Sequence, residues 1–202
     1  MKAVTNYRKL LEQANIRDGD FLKAIELIEV TEENNRTEIR FSYYHLTNKG
    51  NWRITPSPLT IVEDKWCELF EKALQTNVFP GEFIEHVYAV CKNYLVSLSE
   101  IVYKIEIKKD GNYDIYAKGC IKDGNSLHAI ERVYSKRRNR EEIRFAWYQR
   151  NQIGNWRLVA KRPLDVIETE WFDLFQVAVN QHVFNRSTVE FMMNTAGKML
   201  GV

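Results

Sequence analysis

Two stretches of the sequence match each other at a nearly constant spacing, and this internal repeat constrains the fold more than any other feature. Residues 38–44 read EIRFSYY and residues 142–148 read EIRFAWY, a shift of 104. The tetrapeptide GNWR recurs at the same shift. After one inserted residue the shift becomes 105, and it then relates Pro58 to Pro163, Trp66 to Trp171, and Phe79 to Phe184. The chain is therefore interpreted as an internal duplication.

Alternating, aromatic-rich segments predict antiparallel strands in each copy. The predicted strands are 21–30, 39–45 and 51–56 in the first copy, and 127–135, 143–149 and 155–160 in the second. A glycine ends the short polar loop between the last two strands of each set, Gly50 in one copy and Gly154 in the other. A glycine at that place is typical of a hairpin.

Directly after a proline that both copies share, the apolar period changes from two to 3.6, which predicts a helix with one core-facing side. The residues on that side are Trp66, Leu69, Phe70, Ala73 and Leu74 in the first copy, and Trp171, Leu174, Phe175 and Ala178 in the second. Both tryptophans should therefore be buried. A second helix is predicted over about 82–95 and 187–200, and Asn185 or Ser187 is the expected cap of the latter.

The two copies are expected to differ at their N-terminal ends. Residues 3–15 carry apolar side chains at helical spacing, which predicts an N-terminal helix. The second copy instead predicts an extra hairpin, with strands over about 100–109 and 113–121 joined at Asp110-Gly111-Asn112.

The expected fold class is α+β: a tandem duplication of an antiparallel-sheet-plus-helix unit, with repeats at 1–97 and 98–202. No Pro- or Ser-rich linker separates the halves. We therefore expect the two copies to pack against each other as a pseudo-two-fold dimer within one chain.

The sequence contains no phosphate-cradling glycine loop, no His-Glu-x-x-His and no Gly-x-Ser-x-Gly, so neither enzyme activity nor a cofactor is expected. Cys67, Cys91 and Cys120 are widely spaced, and no pair has Cys-x-x-Cys spacing, so no disulfide and no metal are expected. No apolar run approaches the roughly 18 residues of a membrane span. The N-terminal residues turn polar at once, and a cytoplasmic location is expected.

Arginine and tyrosine alternate with core residues on the repeated hairpin. The predicted core face is Ile39, Phe41, Tyr43, Trp52 and Ile54, with the counterparts Ile143, Phe145, Trp147, Trp156 and Leu158. The opposite face carries Arg40, Tyr44 and Arg53 in the first copy, and Arg144, Tyr148 and Arg157 in the second. An open sheet face of this kind suits single-stranded DNA or RNA, because guanidinium groups hold phosphates and aromatic rings stack on bases.

Positive charge is concentrated in the second copy. The chain is net +2, but residues 1–97 are net −2 and residues 98–202 are net +4. A basic loop beside the second copy's hairpin adds Lys136, Arg137, Arg138 and Arg140. We therefore expect the second copy to dominate contact with a polyanion, and the Arg/Tyr set of the first copy to matter less.

The hairpin, its Gly-x-Trp, and the pattern Pro-Leu-x-x-x-Glu-x-x-Trp-x-x-Leu-Phe at the helix resemble the transcriptional-coactivator fold typified by positive cofactor four and its whirly relatives. The resemblance covers roughly 40 residues per copy and is strongest over 163–178 and 58–73. It implies a curved sheet paired with a helix, and binding of single-stranded DNA by a dimeric unit. The family's glycine- and lysine-rich strand is poorly matched, and the second helix in each copy is additional.

Other interpretations of the same residues stay open. Exposed antiparallel faces commonly carry Arg and Tyr simply to shield the backbone, and these side chains would also fit between the copies. The aromatic-rich sheet would serve a protein-protein interaction module with no nucleic-acid role. A small-molecule pocket between the copies is a third alternative.

Overall fold

The computed structural model describes residues 8–31, 36–97 and 108–202. Within these residues the chain is an α+β protein with two antiparallel sheets and four helices. The first half contains β1 (Arg8–Asp18), β2 (Phe21–Val30), β3 (Arg36–Leu46), β4 (Trp52–Ile54), β5 (Leu59–Ile61), α1 (Glu63–Gln75) and α2 (Gly81–Ser97). The second contains β6 (Lys108–Asp110), β7 (Tyr113–Asp123), β8 (Ser126–Ser135), β9 (Arg140–Arg150), β10 (Trp156–Leu158), β11 (Leu164–Ile167), α3 (Glu168–Asn180) and α4 (Arg186–Leu200). None of the helices in these segments is long and apolar enough to cross a membrane.

The helices predicted after each shared proline, and the strands predicted over 21–56 and 113–160, are confirmed within a few residues at each end. Of the predicted strand 100–109, residues 100–107 lie outside the described residues. The short strands β5 and β11, which directly precede α1 and α3, were not predicted. The order of elements from β1 to α2 is the same as the order from β7 to α4. Acidic residues occupy the first turn of α1 and of α3, where carboxylates favour the helix dipole. Asn185 caps α4 as expected, since its side chain accepts a hydrogen bond from the Thr188 amide at 2.8 Å.

The prediction of an N-terminal helix over 3–15 is wrong wherever the chain is described; residues 1–7 lie outside the described residues. Arg8–Asp18 is a strand that pairs with β2 along its length. A bulge between Leu10 and Glu12 breaks the period of two. The apolar residues around the bulge consequently take up a spacing that imitates a helix. The β7 strand has a matching bulge between Ile115 and Ala117, so β1 and β7 are equivalent strands. β7 also pairs with β6, which supports the predicted hairpin at Asp110-Gly111-Asn112 within the described residues.

Each half of the chain contributes one strand to the sheet of the other half. One sheet runs in the order β1-β2-β3-β11, with β4 also paired to β3. The other runs β10-β9-β8-β7-β6, with β5 paired to β9. Leu59 lies opposite Phe145, and Leu164 lies opposite Phe41, so the two crossings have the same register. The halves are therefore joined by backbone hydrogen bonds as well as by side-chain packing.

The largest cluster of buried residues in the described part of the chain is rich in aromatic rings and lies where the two sheets meet. The rings of Phe41 and Phe145 stack with centroids 4.3 Å apart and planes 6° from parallel. Trp66 packs on Phe145 at 5.0 Å, and Trp171 packs on Phe41 at 4.8 Å. Both tryptophans are 0% exposed, which confirms the prediction of their burial. One continuous cluster of buried residues extends through both halves, so the core belongs to the chain as a whole.

The predicted faces of the hairpins are partly wrong. Trp52 lies opposite Leu46 and Ile54 opposite Tyr44, so both belong to the face of Tyr44 and not to the core face. In the second half Trp156 and Leu158 likewise pack against Tyr148. The five-residue loop between the strands sets this register, and the alternation within each strand cannot reveal it. Arg53 and Arg157 consequently belong to the opposite face from Tyr44 and Tyr148.

Replacing Trp66 by Ala should reduce the free energy of unfolding by about 3–5 kcal/mol, because a large buried ring would leave a cavity at the centre of the core. Trp171→Ala should cost a similar amount, since the residue occupies the matching position. Urea titration followed by far-UV circular dichroism measures both. The control is Ile153→Ala, because Ile153 is 77% exposed and should change stability by less than about 0.5 kcal/mol. A loss as small as the control's would contradict the core described above.

Candidate nucleic-acid interface

Two of the predicted binding residues in the first half, Arg40 and Tyr44, are buried in a polar group on the sheet. The Glu26 carboxylate is at its centre and is fully buried. Arg40 Nε donates to Glu26 at 2.7 Å, and the Tyr44 hydroxyl donates at 2.6 Å. Gln13 donates a further hydrogen bond at 2.7 Å, and Ser42 also donates to the same carboxylate. Arg40 and Tyr44 are therefore engaged with the protein itself.

The second half repeats this arrangement around Glu131. Arg144 Nε donates to Glu131 at 2.7 Å, and the Tyr148 hydroxyl donates at 2.7 Å. Lys118 completes the group, with Nζ 3.0 Å from Glu131 and 3.7 Å from the centroid of the Tyr148 ring. Arg144 is only 1% exposed, so it offers no surface to a phosphate.

The expectation that Arg144 and Tyr148, like Arg40 and Tyr44, lie on an open sheet face is therefore wrong. The physical reason is a glutamate on the neighbouring strand: Glu26 lies opposite Arg40, and Glu131 lies opposite Arg144. Burying a carboxylate costs free energy unless it is paired and hydrogen-bonded, and these arginines and tyrosines supply the partners.

The titration of Glu26 reflects its partners. Burial alone would raise the pKa of Glu26, but the charge of Arg40 and the hydrogen bonds from Arg40, Ser42 and Tyr44 outweigh it. The pKa therefore lies below its ordinary value of 4.5, and Glu26 is ionised at neutral pH. Burial and the negative charge of Glu26 together raise the pKa of Tyr44, which stays a hydrogen-bond donor.

The basic loop between β8 and β9 is exposed, and most of its predicted binding residues face a cleft between the two halves. Arg137, Arg138 and Arg140 line this cleft, which has a volume of about 610 Å³. Lys136 is not among them, because its Nζ lies 2.9 Å from Asp114 and donates to the Gly111 carbonyl.

The buried Glu142 holds two of the arginines in place. Arg140 Nε donates to Glu142 at 3.0 Å, and an Arg138 nitrogen lies 2.7 Å from it. Arg138 also donates to the Thr60 hydroxyl at 3.0 Å, so it links the loop to β5 of the first half. Within the described residues Arg137 makes no hydrogen bond or ion pair. In the cleft, the guanidinium groups of Arg138 and Arg140 are therefore held by Glu142, and that of Arg137 is available to contact a ligand.

The first half supplies the other wall of the cleft, which the sequence did not single out. Phe21 and Tyr43 stack there with centroids 5.2 Å apart and planes 9° from parallel. Phe21 is 43% exposed, so part of its ring faces solvent. Asp18 and Lys23 line the same wall, and Lys23 Nζ donates to Asp18 at 3.1 Å.

Arg53 lies at the far end of the same wall, and it is exposed. Asp18, Phe21, His45 and Arg53 are successive partners across β1, β2, β3 and β4, so they form one row on one face of the sheet. A depression of about 400 Å³ around the β3–β4 turn includes His45 and Arg53. Neighbouring strands are about 4.8 Å apart, which places Arg53 about 10 Å from Phe21.

Arg157 is exposed but distant from the cleft. It pairs with Gln149, nine residues along β9 from Arg140, a separation of about 30 Å in an extended strand. Of the predicted binding residues, the structure thus brings together Arg137, Arg138 and Arg140, with Arg53 on the adjoining surface. It leaves Arg157 apart from them.

The equivalent positions of the other half carry different chemistry. Ser126 occupies the position of Phe21, and His128 that of Lys23. Asp165 occupies the position of Thr60 and receives a hydrogen bond from Arg8. The stacked pair is therefore absent at these positions, and a carboxylate is added. Aligning the two copies of the repeat could have identified this position from the sequence. Phe21 aligns with Ser126, and an aromatic residue present in only one copy is not explained by the shared fold.

The cysteines and carboxylates of the described residues do not converge on a metal site, since no three His, Cys, Asp or Glu side chains among them lie close enough together. Cys67, Cys91 and Cys120 are free thiols. Burial raises the pKa of Cys67 to about 11, so this thiol is protonated at neutral pH.

Replacing Arg144 by Met should reduce the free energy of unfolding by about 3 kcal/mol, because the change leaves Glu131 buried without its main partner. Adding Glu131→Met should recover most of the loss, since the carboxylate is then also removed. Urea titration measures the single and the double variant. Arg157→Met is the matched control, an exposed arginine on the same sheet, and should stay within about 0.5 kcal/mol of the original protein. If Arg144→Met left the free energy of unfolding unchanged, Arg144 would not be needed to compensate the buried Glu131.

The lowered pKa of Glu26 predicts a dependence of stability on pH. Because the pKa is lower in the folded than in the unfolded chain, the stabilisation is fully present above pH 4.5 and is lost as the pH falls through the lowered value. Glu26→Gln should therefore destabilise the protein at pH 7 and narrow the difference in stability between pH 7 and pH 3. Urea titrations of both proteins at the two pH values check this. If the difference in stability between pH 7 and pH 3 were the same in both proteins, Glu26 would not contribute to the pH dependence of stability.

Comparisons with models of known protein families, with curated proteins and with solved structures find no match to this chain. The resemblance to positive cofactor four and the whirly proteins rests on the sequence pattern alone and stays a prediction. What the cleft binds is therefore inferred from the residues that line it.

Proposed function

We propose that this protein binds single-stranded nucleic acid, as a non-enzymatic binding protein, in the cleft between its two halves. The observation that carries the proposal is the half-exposed Phe21, stacked on Tyr43 in the same cleft as Arg137, Arg138 and Arg140. Sites for unpaired bases combine an aromatic ring on which a base stacks with a positive groove that follows the phosphates. The cleft supplies both within one surface.

The local charge favours a polyanion although the whole chain is nearly neutral. Among the described residues, Lys23, Arg137, Arg138 and Arg140 line the cleft. Asp18 pairs with the buried Lys23, and the buried Glu142 pairs with Arg138 and Arg140, so the cations still exceed these carboxylates by two. The charge of the chain as a whole is only +2. A concave, positively charged surface concentrates anionic ligands and increases their rate of association.

The surface extends beyond Phe21 in the direction of Arg53. A strand whose base stacks on Phe21 would have the loop arginines on one side and Arg53, about 10 Å away, on the other. Both halves therefore contribute, the first through its aromatic pair and Arg53, the second through its basic loop. This differs from a site built on the second half alone.

The exchange of strands also bears on the origin of the chain. The matched registers of β5 on β9 and of β11 on β3 are what a two-fold dimer of one unit would show. We infer that such a dimer was joined into one chain, and that one of its two equivalent clefts then acquired Phe21 and the loop arginines.

Phe21→Ala should weaken binding of a fluorescein-labelled single-stranded oligonucleotide by about 1–3 kcal/mol, because one base loses its stacking partner. Arg137→Ala should weaken binding to most sequences alike and reduce the salt slope by about one, because one phosphate contact is lost. Fluorescence anisotropy at 50 mM and 200 mM salt, with DNA and with RNA strands, measures both changes.

Ser126→Ala and Arg157→Ala are the matched controls, since they alter the equivalent row of the other half, and they should leave affinity unchanged. Equal losses from the control and the test variants would place the site elsewhere. Absence of binding at 50 mM salt, or binding that does not respond to salt, would overturn the proposal. A protein-interaction module would then be the better account of the aromatic surface.

A further inference from the structure

The cleft contains one group that is out of place in a site for phosphates alone. Asp18 lies directly opposite Phe21 across the β1–β2 turn, and its side chain is 55% exposed. The hydrogen bond and the charge of Lys23 hold the pKa of Asp18 below its ordinary value, with smaller contributions from Arg140 and Lys65. Asp18 is therefore an anion at neutral pH. One of its oxygens pairs with the buried Lys23. The rest of the carboxylate would repel a phosphate but would accept hydrogen bonds from donors of a ligand.

The position of Asp18 matches the edge of a stacked base. Directly opposite residues of an antiparallel pair have their Cβ atoms about 5 Å apart, so a base lying on the Phe21 ring would bring its edge alongside the carboxylate. Lys23 occupies one lone pair of one oxygen, and no other hydrogen bond from the described residues reaches the Asp18 carboxylate. An ionised carboxylate accepts at both oxygens, so it can receive two parallel donors.

Guanine is the nucleobase with two adjacent donors on its Watson–Crick edge, N1–H and the N2 amino group. Adenine and cytosine place an acceptor nitrogen beside their amino group, and thymine and uracil flank a single N–H with two carbonyl oxygens. A carboxylate in line with these edges would face at least one acceptor. Unpaired bases in single strands are commonly recognised through this edge together with stacking.

We propose that Asp18 and Phe21 form a guanine-binding subsite within the cleft, with Phe21 stacking on the base and Asp18 accepting from N1–H and N2–H. This inference rests on the proposed nucleic-acid function and adds base selectivity to it. The arginines of the β8–β9 loop then contact the phosphate of the same nucleotide or of its neighbour.

The other half of the chain indicates that there is one such subsite per protein. Asp123 occupies the position equivalent to Asp18, but its partner across the turn is Ser126, which offers no ring. Asp123 could accept hydrogen bonds from a base, but no aromatic ring at the neighbouring position would hold that base by stacking. The expected stoichiometry is therefore one guanine per chain.

The test uses ten-residue oligothymidylates that carry one central guanine, inosine, adenine or cytosine, with the unsubstituted strand as reference. The guanine strand should bind at least about 5-fold tighter than the reference, the lower end of what a good bidentate pair contributes. Inosine lacks the N2 amino group, so its strand should bind with intermediate affinity. Adenine and cytosine strands should bind no more tightly than the reference.

Asp18→Asn should bring the guanine-to-thymine ratio to within about 2-fold, while binding to oligothymidylate persists. The matched control is Asp123→Asn, which should leave the ratio unchanged. The ratio is compared, rather than the affinity, because removing a negative charge strengthens binding to every strand. The inosine comparison needs no protein variant. It therefore tests recognition of the guanine N2 amino group even if Asp18→Asn is poorly folded.

The outcomes separate the two proposals. If all strands bind with equal affinity, the guanine subsite is wrong and the nucleic-acid function stands. A guanine preference that survives in folded Asp18→Asn, or a preference for adenine or cytosine, would also overturn the subsite. If no strand binds at 50 mM salt, the proposed function fails and the subsite fails with it.

Discussion

The reciprocal pairing of β5 with β9 and of β11 with β3 is the constraint on which the rest of the structure depends. Neither half completes its sheet without a strand from the other, and the Phe41–Phe145 stack lies at the junction. The same exchange builds the cleft. Because β5 lies beside β9, Thr60 of the first half meets Arg138 of the second, and the basic loop is held opposite the first half's aromatic wall.

The buried groups around Glu26 and Glu131 show how a repeated polar pattern serves structure. In each half an arginine and a tyrosine four residues apart converge on one carboxylate from the neighbouring strand. Removing one partner from such a group leaves a buried charge without compensation. The resulting loss of stability is much larger than the net stabilisation that the intact pair provides. The Arg/Tyr pattern therefore occurs in both halves because each sheet needs it to compensate a buried glutamate. The positions that differ between the halves do not have this structural role, so their side chains can serve in binding.

The two halves share a scaffold and differ where the cleft is formed. Phe21 has Ser126 as its counterpart, and Lys65 has Glu170, so the equivalent surface loses a ring and gains a carboxylate. Burial raises the pKa of Glu170, and burial lowers the pKa of the neighbouring His128, so this region favours neutral groups. Of the two equivalent surfaces in the described part of the chain, the one with Phe21 therefore combines an exposed ring with the basic loop, and the one with Ser126 does not.

The sequence by itself predicted the four helices, the longer strands between residue 21 and β10, the burial of Trp66 and Trp171, and the exposure of the basic loop, because these follow from periodicity and local charge. It missed the exchanged strands β5 and β11, which are too short to show a period of two. It failed at β1, where a bulge imitates helical spacing. Only the tertiary structure decided the register of the short hairpins. It also decided the pairing of β8 with β9, which buries Arg144 and Tyr148 beside Glu131. It also brought Phe21 to Arg137, more than a hundred residues away in the chain, because the exchanged strands fix which surfaces of the two sheets face each other.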